Sequence, residues 1–238
     1  MLRTLWAIFV AVAVTIPASI SVMAVAVFSS SAGMIDSIIR WWARTIVRAA
    51  GIDLRGERVD MLTGEQRYIL VANHYSYLDI PCILAAVPQP IRFMAKVSLF
   101  KIPIFGWALG RAGFIPIDRK NRRTAVKSFD QAGDRIRRGN TIVIFPEEGR
   151  TPLRTLRPFQ RGAFLLAIRS GLPIVPLAID GTFDVLAVGA KRITPGVVTI
   201  KVGTSIATES ISVREKEQLA DASRAQIETM LFGNAPPA

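Results

Sequence analysis

The stretch Thr141-Ile142-Val143-Ile144-Phe145 (TIVIF) decides the fold class of this chain. Five β-branched or aromatic residues in succession, closed by Pro146, are typical of a strand that is buried on both faces. Strands of this kind occur mainly in parallel sheets that carry helices on both sides. We therefore expect short apolar strands to alternate with helices along the rest of the chain.

The sequence on either side of TIVIF alternates in this way. Apolar runs of strand type occur at residues 67–72, 91–95, 113–117, 173–179 and 197–202. Helical stretches are predicted at residues 78–86, 122–138, 162–170 and 212–231. This alternation predicts an α/β fold with a mainly parallel sheet flanked by helices. In such sheets chemistry gathers at the carboxyl ends of the strands.

The composition excludes several classes of protein. The chain has 238 residues, of which 50% are hydrophobic, which excludes a disordered or fibrous protein. One cysteine, Cys82, and one histidine, His74, exclude an intramolecular disulfide framework and argue against a cysteine-based zinc site. The net charge of +12 is carried by residues 90–170, which hold 17 basic and 5 acidic residues. Charge concentrated in this way indicates an anionic partner: a phosphorylated substrate, a membrane surface or a nucleic acid.

The amino terminus has the character of a membrane segment. Residues 5–28 are almost unbroken in their apolarity and are long enough to cross a hydrocarbon core of about 30 Å, with Pro17 predicted to kink the helix. Residues 34–50 form an amphipathic segment with arginines on one side. We predict a membrane anchor over residues 1–50, as one kinked span or a helical pair, and a catalytic domain over residues 51–238. A signal peptide and a buried core helix are the alternatives.

The flanking charges predict an orientation. Three arginines follow the apolar run, whereas only Arg3 precedes it. By the positive-inside rule the body of the protein then lies on the cytoplasmic side of an inner or cytoplasmic membrane. A single unpaired cysteine agrees with a reducing compartment.

The first candidate for chemistry follows the strand at 67–72 and reads Asn73-His74-Tyr75-Ser76-Tyr77-Leu78-Asp79. If His74 lies in the turn and Asp79 in the first helical turn, with Ser76 as N-cap, Asp79 can accept a hydrogen bond from one ring nitrogen of His74. The other ring nitrogen is then available as a proton acceptor for a substrate hydroxyl. The alternative is an ordinary surface or core histidine.

Two further segments carry candidates. Residues 145–150 (FPEEGR) follow TIVIF and place two carboxylates beside an arginine, a pattern that suits a phosphate site or an ordinary solvated turn. Residues 96–107 (KVSLFKIPIFGW) mix apolar residues with lysines and predict either an acyl-chain groove with a basic mouth or a basic-rimmed surface loop. The basic run at 119–123 suits a solvated helix start or anionic lipid headgroups.

In order and spacing, these segments resemble the glycerolipid acyltransferases typified by bacterial 1-acylglycerol-3-phosphate acyltransferase. The family has four blocks: NHxxxxD, a Gly-Phe-Ile block that ends in Asp-Arg, a Phe-Pro-Glu-Gly-Thr-Arg block and a proline-centred apolar strand. They match residues 73–79, 113–119, 145–150 and 174–179. The resemblance covers about residues 65–185, and four blocks in order are far more specific than any one of them.

The resemblance implies an activity and a set of roles. His74, oriented by Asp79, would take the proton from the free hydroxyl of lysophosphatidic acid, which then attacks the thioester of acyl-CoA or acyl carrier protein to give phosphatidic acid. It implies no metal, no other cofactor and no covalent acyl-enzyme. The implied phosphate-binding residues are Glu147, Arg150, Lys101 and Arg119, and the implied acyl-pocket residues are Gly113, Phe114 and Pro176.

The chain departs from the family in one place, because Glu148-Gly149 replaces the Gly-Thr of the third block. An extra carboxylate is unfavourable beside a phosphate. Another lyso-lipid acceptor, such as a lyso-aminolipid or a different lysophospholipid, therefore remains an alternative. A non-enzymatic, membrane-anchored binder of anionic lipid is a more distant one. Nucleic acid is not an expected partner, since no nucleic-acid-binding motif is present.

Overall fold

A computed structural model describes residues 1–28, 32–62, 66–118, 128, 133, 136 and 139–233. The helices are α1 (Leu2–Phe28), α2 (Ala32–Ala50), α3 (Asp79–Ala86), α4 (Phe105–Ala112), α5 (Gly162–Ser170), α6 (Thr182–Leu186) and α7 (Lys216–Phe232). The strands are β1 (Ile52–Glu57), β2 (Ile69–Ala72), β3 (Ile91–Lys96), β4 (Ile115–Ile117), β5 (Thr141–Ile144), β6 (Ile174–Asp180) and β7 (Gly196–Val202). Short 3₁₀ helices cover Val59–Met61, Val97–Lys101 and Val213–Glu215.

The strands form one sheet in the order β1-β7-β6-β2-β5-β3-β4. Five of them, from β6 to β4 in that order, run parallel to one another, whereas β7 is antiparallel to β6 and β1 is parallel to β7. The predicted mainly parallel sheet is therefore confirmed. Strand β1 was not predicted, because its residues IDLRGE are mostly exposed at the sheet edge and so lack an apolar run.

Apolar residues of the sheet divide between its two faces, because side chains alternate along a strand. Leu70, Val143 and Leu177 pack on one face with residues of α1, α2, α3 and α4. Ile69 and Ile142 pack on the other face with residues of α5 and α7. The body is thus a sheet between two helical layers, as the buried strands predict.

The amino-terminal helices pack on this body. The Trp42 indole of α2 donates a hydrogen bond to the Thr15 hydroxyl of α1 over 2.8 Å. Arg40 of α2 donates to the backbone carbonyl of Val87 over 2.7 Å. By length and composition α1 is able to cross a membrane, and only 22% of its most apolar window is buried. The helices form a packed pair, while the division of the chain at residue 50 stays a prediction.

Several predicted elements need comment. The predicted helix at 122–138 lies mostly outside the described residues. Helix α4 was not predicted, because its sequence FGWALGRA holds two glycines, which lower helix propensity. Strands β2 and β5 are adjacent and parallel, so their carboxyl ends lie at the same edge of the sheet. The fold itself therefore brings the segments after β2 and β5 together.

Candidate active site

Asn73 fixes the start of the turn that follows β2. Its side chain is fully buried, and its Nδ2 donates to the carbonyl of Ile179 over 3.0 Å. Its Oδ1 accepts from the N–H of Ile179 over 2.7 Å. This pair of bonds ties the end of β2 to the end of β6. The sequence assigns Asn73 no role of its own, and the position of Asn73 at a strand end is the only signal of it there.

One carboxylate oxygen of Asp79 contacts three groups of the turn that precedes it. Oδ2 lies 2.8 Å from Nδ1 of His74 and accepts the backbone N–H groups of Tyr75 and Ser76, each over 2.8 Å. The predicted contact between His74 and Asp79 is therefore present. The prediction of Ser76 as N-cap was wrong: Leu78 holds that position, and the Ser76 hydroxyl donates instead to the carbonyl of Leu186. The Ser76 hydroxyl also accepts the N–H of Leu78 over 3.1 Å, and the Asp79 carboxylate binds N–H groups of the turn before α3 rather than those of its first turn.

Aromatic stacking fixes the plane of the His74 ring. The ring lies 4.0 Å from that of Phe145, centroid to centroid, with an angle of 15° between the planes. Phe93 stacks on the far side of Phe145, and Phe114 stacks on Phe93. With Nδ1 facing Asp79, Nε2 has no hydrogen-bond partner among the described residues. That nitrogen is the available proton acceptor of the turn.

Glu147 holds the backbone on both sides of the site. Its Oε1 accepts the N–H of His74 and its Oε2 accepts the N–H of Arg157, each over 2.8 Å. The side chain is buried, and burial raises the pKa of its carboxyl to about 7, although the two backbone hydrogen bonds oppose that shift. Both oxygens are used inside the protein, and a carboxylate repels a phosphate. This geometry argues against the predicted phosphate contact and assigns Glu147 a positioning role.

The raised pKa of Glu147 gives a testable pH dependence. Between pH 4.5 and about 7 the folded state keeps a proton that the unfolded state has lost, so stability falls as the pH rises. A shift of this size corresponds to about 3 kcal/mol. We expect the free energy of unfolding of the wild type, relative to a Glu147→Gln variant, to decrease by that amount across this window. Unfolding experiments on both proteins in detergent from pH 4 to 8 measure this decrease. A difference in unfolding free energy that did not change with pH would contradict the raised pKa of Glu147.

Basic residues flank the Glu147 turn. The Arg150 guanidinium lies 3.4 Å above the centre of the Tyr77 ring, a cation–π contact. Nη1 of Arg157 lies 3.0 Å from the point where Gly149 would carry a Cβ. Glu148 is exposed and takes a left-handed φ of 54°, at the position where the family blocks have glycine. The sequence offered Arg157 only as one of several arginines suited to phosphate, and its bond to Glu147 runs through a backbone N–H, which the sequence does not show.

The other two predicted basic residues are Lys101 and Arg119, and in the described part of the chain Lys101 makes no hydrogen bond or ion pair with the site. Lys101 is exposed at the end of the 3₁₀ helix Val97–Lys101, which continues from the carboxyl end of β3 at the same sheet edge as His74. Arg119 lies outside the described residues. Among the residues described, no group of three or more His, Cys, Asp or Glu side chains is arranged to hold a metal ion.

An apolar cavity of about 320 Å³ lies between the amino-terminal helices and the body. Its walls come from α1, α2, α3, α4 and β3, and include Phe93 and Phe114. Phe93 stacks on Phe145 and Phe145 stacks on His74, so a chain of aromatic contacts links the cavity wall to the His74 ring. The cavity has the lining expected of a site for a hydrocarbon chain.

Two predicted pocket residues do not line this cavity. Gly113 ends α4 with a left-handed φ of 90°, so its role is in the turn that leads to Phe114. Pro176 lies in β6 between Val175 and Leu177, which face the cavity side of the sheet. Alternation along the strand directs Pro176 to the opposite face. The expectation that Pro176 shapes the acyl pocket does not fit this position.

The chain is similar to known acyltransferases. Residues 52–180 match a family model described as acyltransferase. The chain is 30% identical over 193 residues to a 1-acyl-sn-glycerol-3-phosphate acyltransferase of Pseudomonas aeruginosa, which covers 79% of this chain and 72% of that protein. It is 34% identical over 125 residues to a chloroplastic protein of the same name from Brassica napus. The chain spans about a third to a half of the length of such plant and algal relatives.

A solved structure shares the fold. The crystal structure of the 1-acyl-sn-glycerophosphate (LPA) acyltransferase from Thermotoga maritima superposes with a TM-score of 0.82. The superposition covers 100% of this chain and 97% of that one, at 23% sequence identity. The amino-terminal helices are therefore part of the shared architecture, together with the sheet.

Proposed function

The chain belongs to the acyltransferase family, and from that premise we propose that it transfers an acyl group to the free hydroxyl of 1-acyl-glycerol-3-phosphate. The donor is an acyl thioester, either acyl-CoA or acyl carrier protein, and the product is phosphatidic acid for phospholipid biosynthesis. The observation that carries the proposal is the 2.8 Å contact of Asp79 with Nδ1 of His74, which leaves Nε2 to act as a base.

The proposed reaction needs two proton transfers through one nitrogen. Nε2 of His74 takes the proton of the acceptor hydroxyl as its oxygen attacks the thioester carbonyl carbon, and Asp79 stabilises the imidazolium that forms. The tetrahedral intermediate then collapses, the carbon–sulfur bond breaks, and the leaving sulfur takes the proton from Nε2. An ester and a free thiol result. In this scheme the donor thioester is a substrate, and no metal or further cofactor takes part.

The substrate parts are assigned by chemistry. The acceptor phosphate is proposed to lie against Arg150, with Lys101, Arg119 and Arg157 as further basic contacts, because arginine forks suit phosphate. The donor acyl chain is proposed to occupy the cavity behind Phe93. Residues 1–50 are proposed to be the membrane anchor of a catalytic domain at 51–238, which faces the cytoplasm at an inner or cytoplasmic membrane.

Product formation tests the proposal directly. The full chain in detergent is supplied with lysophosphatidic acid and either acyl-CoA or acyl carrier protein of matched chain length. We expect phosphatidic acid and stoichiometric free thiol with at least one donor. Thiol release that does not depend on lysophosphatidic acid would indicate a thioesterase, and no product with either donor would reject the proposal.

The cavity assignment predicts a change in chain-length preference. Ala108 of α4 is buried and lines the cavity, so Ala108→Phe fills space that a long acyl chain needs. Each buried CH₂ group contributes about 0.8 kcal/mol. If the cavity loses room for two or three CH₂ groups of the acyl chain, kcat/KM for long-chain donors should fall about tenfold or more. Short-chain donors should be affected little. Ala190→Phe, at an exposed position, is the control, and equal losses for all chain lengths would reject the assignment.

A second acceptor class rests on Glu148. This carboxylate is exposed in the turn beside Arg150, at a place where the family blocks have no side chain. A cationic headgroup, such as that of a lyso-aminolipid, would be attracted to it. A panel of lyso-lipids with one fixed donor separates the two candidates. Exclusive use of lysophosphatidic acid would reject the alternative.

A further inference from the structure

Three large apolar side chains project from the segment between β3 and α4 and from α4 itself. Ile102 is 45% exposed, Ile104 is 37% exposed and Trp107 is 59% exposed. We call residues 102–107 the apolar loop. Its exposed residues are distinct from the neighbouring Leu99 and Phe105, which line the cavity. The apolar loop therefore presents hydrophobic surface that the fold does not cover.

The backbone that carries this surface is strained at Ile104. Ile104 has φ 65° and ψ −60°, and the N–H of Phe105 donates to the carbonyl of Pro103 over 2.7 Å. This is a strained γ-turn, and a β-branched residue at positive φ is a rare outlier. Gly106 locks the turn, because a Cβ there would lie 2.3 Å from the carbonyl oxygen of Phe100. Strain of this kind persists where the surrounding structure enforces it, commonly at functional sites.

Helix α4 has one face toward the cavity and another toward the outside. Ala108 and Ala112 line the cavity, whereas Trp107 and Arg111 are one turn apart on the exposed face. Helix α4 also contacts α1, the helix that is long and apolar enough to cross a membrane. Packed helices lie about 8–10 Å apart. With α1 in the bilayer as part of the proposed membrane anchor, lipid around α1 would reach the immediate surroundings of α4.

The charged residues of the segment that contains the apolar loop are all basic. Residues 91–117 contain two lysines and two arginines and no aspartate or glutamate. Of these, Lys96, Lys101 and Arg111 are exposed. Tryptophan beside basic residues is typical of the headgroup region of a bilayer, and exposed lysine and arginine are attracted to anionic lipid. The surface thus combines apolar insertion with anionic attraction.

We propose that the apolar loop, together with Lys96 and Arg111, is a second membrane contact that inserts into the headgroup region of an anionic bilayer. The loop follows the carboxyl end of β3, at the sheet edge that carries His74. Insertion there turns this edge toward the membrane surface, whereas α1 alone would leave the body free to rotate. The proposal concerns the orientation of the body and does not depend on which acceptor is used.

Quenching of tryptophan fluorescence by brominated lipid tests the insertion. The full chain with Trp6, Trp41 and Trp42 changed to Phe keeps Trp107 as its only tryptophan. The control adds Trp107→Phe and Val213→Trp, which places the probe at an exposed residue before α7, on the opposite helical layer. In vesicles of phosphatidylglycerol and phosphatidylcholine, we expect bromination of the acyl chains to lower Trp107 emission about twofold, since interfacial tryptophan reaches the upper chains. The control emission should not change.

Two variants separate the contribution of the turn at Ile104 to Trp107 quenching from the contribution of the basic residues. Ile104→Gly relieves the turn, so we expect a higher melting temperature in detergent together with weaker quenching of Trp107. Lys96→Glu with Arg111→Glu should weaken quenching in vesicles that contain phosphatidylglycerol and leave it unchanged in phosphatidylcholine alone.

The proposal is overturned by equal quenching of both probes. It is also overturned if Trp107 becomes protected in detergent as protein concentration rises, which would place a second copy of the chain on this surface. These readouts require no turnover, so a failed acyl-transfer assay leaves them intact.

Discussion

A His74→Ala variant is expected to lose acyl transfer by about 10³- to 10⁴-fold, because it removes the only described side chain positioned as a base at this turn. The fold should survive, since the Asp79 carboxylate keeps the backbone N–H groups of Tyr75 and Ser76. The loss should appear in kcat, because the variant leaves the proposed phosphate contact of Arg150 unchanged. Thiol release from the donor and the melting temperature in detergent together measure the effect.

Two further variants test whether the lost activity is due to the missing proton acceptor. His74→Phe keeps an aromatic ring against Phe145 but offers no proton acceptor, so it should be as inactive as His74→Ala. Cys82→Ala, three residues beyond Asp79 in α3 and equally buried, should cost about 1 kcal/mol of stability and keep its activity. A His74→Ala protein that retains more than about a tenth of the rate would refute the base role, given the factors expected of a base.

The sequence predicts the centre of the sheet and the position of the chemistry. Strands β2 and β5 are buried at every residue, so each is an unbroken apolar run that stands out from its surroundings. Parallel neighbours end at the same edge, and the turns after them hold His74 and Glu147. The spacing of His74 and Asp79 allowed a contact on the condition that His74 lies in the turn and Asp79 in the first helical turn, and the structure meets this condition.

Contacts between distant segments could not be predicted in this way. Asn73 bonds to Ile179, 106 residues away, and Glu147 bonds to the N–H of His74, 73 residues away. In each pair one partner is a backbone group, which every residue has, so the sequence carries no sign of it. Glu147 therefore resembled a phosphate ligand, although the fold uses its carboxylate to hold the two segments together.

The segment before and within α4 shows a different limit. The sequence mixes apolar residues that face the cavity, such as Phe105 and Leu109, with others that face outward, such as Ile102 and Trp107. A helix of eight residues is too short to establish a period. The turn at Ile104 also reverses the direction of the chain just before it. The segment therefore contributes both to an apolar cavity and to an exposed surface, whereas the sequence suggested an acyl-chain groove or a surface loop as alternatives.

An Asp79→Asn variant should lower kcat by about 10²- to 10³-fold and leave the fold intact, because it removes the charge that stabilises the imidazolium. The N–H groups of Tyr75 and Ser76 both point at Oδ2. Because both groups are donors, the asparagine amide must place its Oδ1 at this point and its NH₂ at the position of the other carboxylate oxygen. The ring of His74 then keeps its orientation and its Nδ1–H tautomer, and only the negative charge is lost.

Asp79→Ala separates this charge from the structural role of the carboxylate. It removes the oxygen as well and leaves the N–H groups of Tyr75 and Ser76 buried without a partner, which costs about 1–3 kcal/mol for each group. We therefore expect Asp79→Ala to lower the melting temperature in detergent clearly, and Asp79→Asn to change it little. If both variants were equally unstable, Asp79 would act on the fold alone. If Asp79→Asn kept the full rate, the negative charge would have no part in the reaction, and the orientation of His74 by the two backbone N–H groups would be sufficient.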